Sequence, residues 1–320
     1  MPKDVSDVTR CLTCGASDWR DLQHVERNGV VFELALCSSC GFVAQVPPLT
    51  EAAIGAYYRA DYNRRNYGAE LPALHETMKE PGRLRVAFLE RHGALASARR
   101  ALEIGPGTGS FMALLAERSI AVEGVDADPQ AAAWMREAAG LTIHDGLFDD
   151  VFDRHAATWR MAPFDLVAMI HLFEHLSNPA ATLARIATIL APGGRIFIEV
   201  PNLLRPFSDQ RDWEHYCDPG HLSYFSLNTL PVVLRRAGMT IEAITDDTMR
   251  PYRNIQCLCR PGGAAAVAPN LPCDDPRAVE AVWRGFVRGH ARRWYLGYGW
   301  KADVKRALSA LGIRAGRAVH

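Results

Sequence analysis

Several absences narrow what this 320-residue sequence can be. No apolar run approaches the roughly 18 residues of a membrane-spanning helix, and Met1 to Arg10 is polar and mixed in charge, so neither a span nor a leader is expected. Net charge is missing as well: 36 Lys and Arg stand against 36 Asp and Glu, which removes the whole-chain electrostatic case for a dedicated nucleic-acid binder. There is no internal repeat and no low-complexity tract, so the chain reads as consecutive units. What is present is ordinary globular material. At 48% hydrophobic and 22% charged residues it suffices for about two domains and excludes a disordered chain.

The eight cysteines are unevenly placed. Cys11-Leu-Thr-Cys14-Gly and Cys37-Ser-Ser-Cys40-Gly form two knuckles, each with a glycine after its second cysteine, whereas Cys217, Cys257, Cys259 and Cys273 are scattered. That distribution does not read as a disulfide framework. Four thiolates in two Cys-x-x-Cys pairs suit a closed tetrahedral Zn2+ site, an arrangement that is structural rather than catalytic. A reducing, cytoplasmic setting is therefore the expectation.

Four segments follow from composition: a zinc ribbon over 1–48, a helical and aromatic arm over 49–96, an alternating strand and helix region over 97–262, and a linker with a basic helical extension over 263–320. In the third segment, strand-like runs fall at 101–104, 121–126, 141–144, 164–170, 194–200, 240–245 and 254–259. Helical spacing lies between most of them, as in Leu183, Ile186 and Ile189. This alternation predicts an α/β fold with a doubly wound, largely parallel, seven-stranded sheet. The last two strands have no helical pattern between them, which predicts an antiparallel hairpin at one sheet edge. Asn178-Pro179 reads as a helix start, and Pro192-Gly193-Gly194 as a stop before the next strand.

The run Ala101-Leu-Glu-Ile-Gly105-Pro-Gly107-Thr-Gly109-Ser goes directly from an apolar strand into an amphipathic helix. Glycines at a helix start let the backbone approach a ligand closely. The spacing departs from a dinucleotide fingerprint, since Ser110 stands where the last glycine belongs, and no Gly-Lys-Ser/Thr follows as in a phosphate-binding loop. About twenty residues on, a second strand ends in Asp126, where a carboxylate can accept both hydroxyls of an adenosine ribose.

With these motifs the sequence resembles the class I S-adenosylmethionine-dependent methyltransferases. The resemblance runs over nearly all of 97–260 and rests on Leu-Glu-Ile-Gly-Pro-Gly-Thr-Gly, Gly-Val-Asp-Ala-Asp-Pro, Phe-Asp-Leu-Val-Ala-Met-Ile-His-Leu-Phe-Glu-His-Leu and Leu-Ala-Pro-Gly-Gly-Arg-Ile-Phe-Ile-Glu-Val-Pro-Asn. It implies a Rossmann-like sheet and S-adenosyl-L-methionine as cofactor. By the same resemblance Gly105, Gly107 and Gly109 line its methionine part, Glu103 helps to hold its amino group, Asp126 binds the ribose and Asp145 falls near the adenine.

Two histidine-bearing stretches carry the expected chemistry. His171 and His175 follow the fourth strand, where side chains face the ligand crevice. His171 is expected along the cofactor and His175 along the acceptor, although histidines four apart also cap or pack a short helix. The second stretch, 212–226, contains His215, Tyr216, Asp218, His221 and Tyr224 and lies where a loop can cover the crevice. Histidine suits proton transfer at neutral pH, and His221 is the expected base with Tyr224 beside it. Paired knuckles, a methyltransferase core and a histidine in this loop are similar to the zinc-containing sugar C-methyltransferases. In that group such a histidine takes a proton beside a keto group, assisted by a histidine after the fourth strand, the place of His175. A tyrosine also assists three residues before the base, and here Asp218 stands in its position.

The arm offers Tyr62 and Tyr67, either as active-site hydroxyls or as interdomain packing. From residue 276 onward ten Lys and Arg face two acids, and Trp283, Phe286 and Val287 share a helical face with Trp294, Tyr295, Tyr298 and Trp300 beyond. This tail is expected either to dock an acidic partner or to pack its aromatics on the body with arginines in water. The favoured function is methyl transfer to a small-molecule or saccharide acceptor, at carbon or oxygen. A nucleic-acid partner is disfavoured because no Asn/Asp-Pro-Pro-Tyr motif is present, yet an RNA methyltransferase using the ribbon and tail, or a silent cofactor-binding adaptor, stay as alternatives.

Overall fold

The computed structural model describes residues 10–27, 30–48, 71–205, 216–246, 254–262 and 273–293. The ribbon opens with β1 (Trp19–Arg27), β2 (Val30–Cys37) and β3 (Val43–Gln45). Helix α1 (Leu71–Arg91) follows, then β4 (Arg100–Ile104), α2 (Ser110–Ala116), β5 (Ala121–Asp126), α3 (Pro129–Glu137), β6 (Thr142–Asp145), α4 (Phe148–Met161) and β7 (Phe164–Ile170). A 3-10 turn over Phe173–His175 leads to α5 (Pro179–Ala187), β8 (Leu190–Pro201), the short β9 (Ser223–Tyr224), α6 (Thr229–Arg236), β10 (Met239–Thr245), β11 (Asn254–Pro261) and α7 (Pro276–Arg293).

Seven of these strands form one sheet in the order β10-β11-β8-β7-β4-β5-β6. The five from β8 to β6 are parallel, and β11 pairs antiparallel to both β8 and β10. The expected Rossmann-like sheet and its terminal hairpin are both present, with β10 at the edge and β11 inside. The parallel strands read as continuous apolar runs because both faces are covered. One face carries α1 and α2, joined through Phe88, Leu89, Phe111, Leu114 and Phe197. The other packs α4, α5 and α6 through Trp159, Phe164, Leu183, Ile186 and Leu234.

Local sequence explains several boundaries. Asp128 and Asn178 accept hydrogen bonds from the first backbone N–H groups of α3 and α5, each followed by a proline whose missing N–H costs nothing at that position. Pro192-Gly193-Gly194 does not precede a strand as expected but lies within β8. Leu190 pairs with Phe164 and the next pair is Arg195 with Leu166, so the chain bulges through the Pro-Gly-Gly and then resumes the ladder. In α1, a Cβ on Gly82 would lie 2.6 Å from Leu114 Cδ1, so the glycine sets how closely α1 approaches α2.

The second sheet is antiparallel, in the order β1-β2-β3-β9. Its fourth strand comes from the loop between β8 and α6, so the ribbon completes its sheet with residues of the methyltransferase-like region. Helix α7 lies against β2 and buries Val279, Trp283 and Phe286 with Phe32, Leu34, Tyr216 and Tyr224. The aromatic face of the extension is thus used in packing. Trp294, Tyr295, Tyr298 and Trp300 lie outside the described residues, as do Tyr62, Tyr67 and His215. Among the described residues no helix is long and apolar enough to cross a membrane.

Candidate active site

The glycine loop leaves β4 and enters α2 with Gly105, Gly107 and Gly109 all in the left-handed region, at φ 72°, 56° and 68°. A Cβ on Gly109 would meet Leu141 Cδ1 at 2.7 Å and Met135 Sδ at 3.0 Å, so a side chain there would have to displace both as well as adopt a strained positive φ. Asp126 ends the neighbouring strand and ties the loop down: its Oδ2 accepts from the Gly107 N–H at 3.1 Å and its Oδ1 from the Asp128 N–H at 2.8 Å. Burial pushes its carboxyl up to about 6.

Glu103 lies in β4 beneath the loop, 3% exposed, with Oε2 lacking a hydrogen-bond partner. Burial raises its carboxyl to about 8, Arg85 offsetting only part of that cost. A buried carboxyl with an open oxygen below a glycine cradle fits the ammonium end of an amino-acid cofactor. Asp145 sits at the end of β6 opposite Asp126 and is engaged by Arg136 at 2.7 and 3.1 Å.

Next to the cradle, the carboxyl end of β7 carries the histidine turn. A Cβ on Gly105 would sit 3.2 Å from Leu172 Cδ1, so turn and loop are in contact. His171 takes φ 51°, rare for a side-chain-bearing residue, and its ring lies between two carboxylates. Nδ1 is 3.5 Å from Glu174 Oε1 and Nε2 is 3.5 Å from Glu199 Oε1. Burial opposes its charge, but the two carboxylates outweigh it and lift the imidazole to about 9. Glu199 in turn accepts a two-point pair from Arg85, at 3.0 and 2.6 Å, and further bonds from Asn254 and Gln256 at 2.8 Å each. This network fixes α1 to the ends of β8 and β11.

Glu174, His175 and His221 converge, with a carboxylate oxygen and one ring nitrogen from each histidine all within 4.8 Å of one another. The His221 Nδ1–H donates to the Tyr216 carbonyl at 3.1 Å, which leaves Nε2 as the open acceptor, 4.0 Å from Glu174 Oε1. Burial pushes the His221 imidazole down to about 4, so at neutral pH it is unprotonated. Glu174 is 1% exposed and neither oxygen has a hydrogen-bond partner, yet the surrounding histidines hold it ionised against the cost of burial. The His175 ring stands edge-on to His221 with centroids 4.6 Å apart, and Tyr224 lies 6.1 Å away with its hydroxyl buried and unpartnered.

The spacing that singled out His171 and His175 passed over Glu174 between them. The signal was the carboxylate inside His-Leu-Phe-Glu-His, which in a buried turn must face whatever neutralises it. Arg85 and His75 were also missed, because an arm helix reads as surface. His75 Nδ1–H donates to the Thr108 carbonyl at 2.7 Å within the glycine loop.

The four knuckle cysteines meet with every sulfur within 4.8 Å of the others, and Cys11–Cys40 and Cys14–Cys37 both at 3.5 Å. Around one Zn2+ with bonds of about 2.3 Å, tetrahedral sulfurs stand about 3.8 Å apart, so the donor set fits. A hydrogen bond from Cys40 draws the Cys11 thiol below its ordinary value, toward the thiolate that a metal ligand needs.

The methyltransferase-domain family matches residues 69–244, more than half of the chain, and the protein belongs to it. It is a class I S-adenosylmethionine-dependent methyltransferase. Ubiquinone biosynthesis O-methyltransferases resemble it: that of an Azoarcus species is 27% identical over 55% of this chain and 81% of its own length. That of Aromatoleum aromaticum is 28% identical over 42% of this chain, which spans only 55% of that protein. Among solved structures, the 1,6-didemethyltoxoflavin-N1-methyltransferase of Burkholderia thailandensis superposes with a TM-score of 0.48 at 18% identity, covering 77% of this chain and 99% of its own.

Proposed function

We propose that this enzyme methylates a small-molecule acceptor, at a hydroxyl oxygen or at a carbon made acidic by a neighbouring carbonyl, with His221 as general base. The observation that carries the reading is the fixed tautomer of His221, whose Nδ1–H is held by the Tyr216 carbonyl while Nε2 faces Glu174 and His175. When bound, S-adenosylmethionine supplies an electrophilic methyl group on a sulfonium. Glu103 pairs with the cofactor's ammonium, the glycine loop leaves room for its chain, Asp126 accepts from the ribose hydroxyls, and Asp145 and His171 line the same edge.

Displacement at a methyl group needs the acceptor in line and its proton removed. Holding acceptor and methyl donor in line supplies up to about 7–11 kcal/mol of the barrier. Nε2 of His221 takes the acceptor proton, worth roughly 10²–10⁴ in rate. Glu174 stabilises the imidazolium that results, while His175 and Tyr224 orient the acceptor. Relatives named as O-methyltransferases support an oxygen acceptor, and the likeness of the paired knuckles and the His221 loop to sugar C-methyltransferases is the ground for including a saccharide. Cys11, Cys14, Cys37 and Cys40 would hold a structural Zn2+, which would tie the two knuckles of the ribbon together. Incubation with methyl-labelled S-adenosylmethionine and panels of phenols, enols and keto sugars tests the reading. Label is expected on a small molecule, and transfer only to RNA or protein would refute it.

A further inference from the structure

The ribbon strand β3 ends at Gln45, whose side chain is 1% exposed although it carries a polar amide. Its Nε2 donates to two carbonyls of the facing loop, Pro219 at 2.8 Å and His221 at 3.0 Å. Its backbone N–H donates to the Leu222 carbonyl at 3.0 Å, and the two residues before it pair with Ser223 and Tyr224. One residue therefore grips the loop at positions 219, 221 and 222. Within the loop, the Asp218 side chain accepts from the Gly220 N–H at 2.8 Å and its carbonyl from the His221 N–H at 2.9 Å, which shapes the turn. Asp218 also lies 3.6 Å from Arg27 of β1, and the Leu222 N–H donates to the Glu174 carbonyl at 2.9 Å, so Gln45 acts alongside these two ties as the one that holds both carbonyls flanking Gly220. Gln45 stands five residues beyond Cys40, so the position of its amide depends on the folded knuckle.

We propose that Gln45 is a positioning residue for His221, coupling the cysteine ribbon to the orientation and burial of the imidazole in the crevice. The inference rests on the reading of His221 as base and adds to it that the ribbon is part of the catalytic frame. Two buried hydrogen bonds to the carbonyls on either side of Gly220 leave the ring little freedom to swing toward water. The groups facing the ring are Glu174 and His175 from the 3-10 turn, His171 from the end of β7, Asp218 from its own loop and Tyr224 from β9. Burial dominates over all of them, so the protonation of His221 reports directly on whether the loop is held down.

The test is a histidine-ring carbon NMR titration of the full-length protein and of Gln45→Met, which keeps the volume and removes both hydrogen bonds. The His221 signal is assigned by its loss in His221→Asn. In the wild type its midpoint is expected at about 4, and in Gln45→Met it should rise by about one unit or more toward the ordinary histidine value near 6.5. Zinc content and affinity for S-adenosylhomocysteine should stay as in the wild type. A folded Gln45→Met protein whose midpoint stays within about 0.3 units of the wild type overturns the proposal, because mere support of the fold would lower the melting temperature without moving the titration. Should the methionine variant not fold, Gln45→Asn, whose amide is one methylene too short, is judged by the same criterion. The readout needs no acceptor, so it is independent of whether His221→Ala abolishes methyl transfer.

Discussion

Cofactor affinity should depend steeply on pH, because the carboxyl assigned to the ammonium is mostly protonated before binding. Burial raises Glu103 to about 8, and pairing with an ammonium requires its ionised form. Between pH 7.5 and pH 6 the ionised fraction falls from about one in four to about one in a hundred, so binding should weaken ~25-fold, or about 2 kcal/mol. Asp126, lifted to about 6, loses up to half of its acceptor strength over the same interval and adds at most ~2-fold. The sign follows from linkage: the bound state holds fewer protons, so binding strengthens as pH rises toward the free-state value of Glu103. Calorimetry with S-adenosylhomocysteine at pH 7, in buffers of different ionisation heat, should show release of about 0.9 proton per molecule bound. Glu103→Gln should bind more weakly at pH 7.5 and with little pH dependence. Wild-type affinity constant within threefold from pH 6 to 7.5, with no buffer-dependent heat, would refute the role of Glu103.

Three further outcomes follow from the packing. Metal analysis of the purified protein should find one zinc per chain, and a strong chelator or Cys11→Ser with Cys37→Ser should lower the thermal midpoint; a metal-free variant of full stability would contradict the site. Arg85→Met should cost up to about 3–5 kcal/mol in urea unfolding, because it removes the two-point partner of buried Glu199 and leaves His171 as its charged neighbour; adding Glu199→Gln should recover much of the loss, and additive costs would contradict the pairing. Trp283→Ala should cost roughly 3–5 kcal/mol by emptying the seam between α7 and the ribbon, whereas an unchanged urea midpoint would mean that α7 does not pack there.

The sheet was legible because buried parallel strands leave continuous apolar runs and because Gly105, Gly107, Gly109 and Asp126 occupy fixed places around one crossover. The knuckles were legible because four thiols at that spacing have few alternatives. What pattern could not reveal was contact between distant segments. Nothing in the local sequence near Gln45 marks it as facing the loop of His221, and β9 is too short to register as a strand. The Arg85–Glu199 pair joins residues 114 positions apart, where periodicity carries no information. Pro192-Gly193-Gly194 misled for a different reason, since its turn chemistry is genuine but serves a bulge inside β8 rather than the gap before it.

The assignment of His221 as base is tested most directly by His221→Ala, measured once an acceptor from the panel is in hand. Turnover with labelled S-adenosylmethionine should fall roughly 10²–10⁴-fold while affinity for S-adenosylhomocysteine and the melting temperature stay near wild type. Unimpaired turnover in a folded His221→Ala protein would contradict the account.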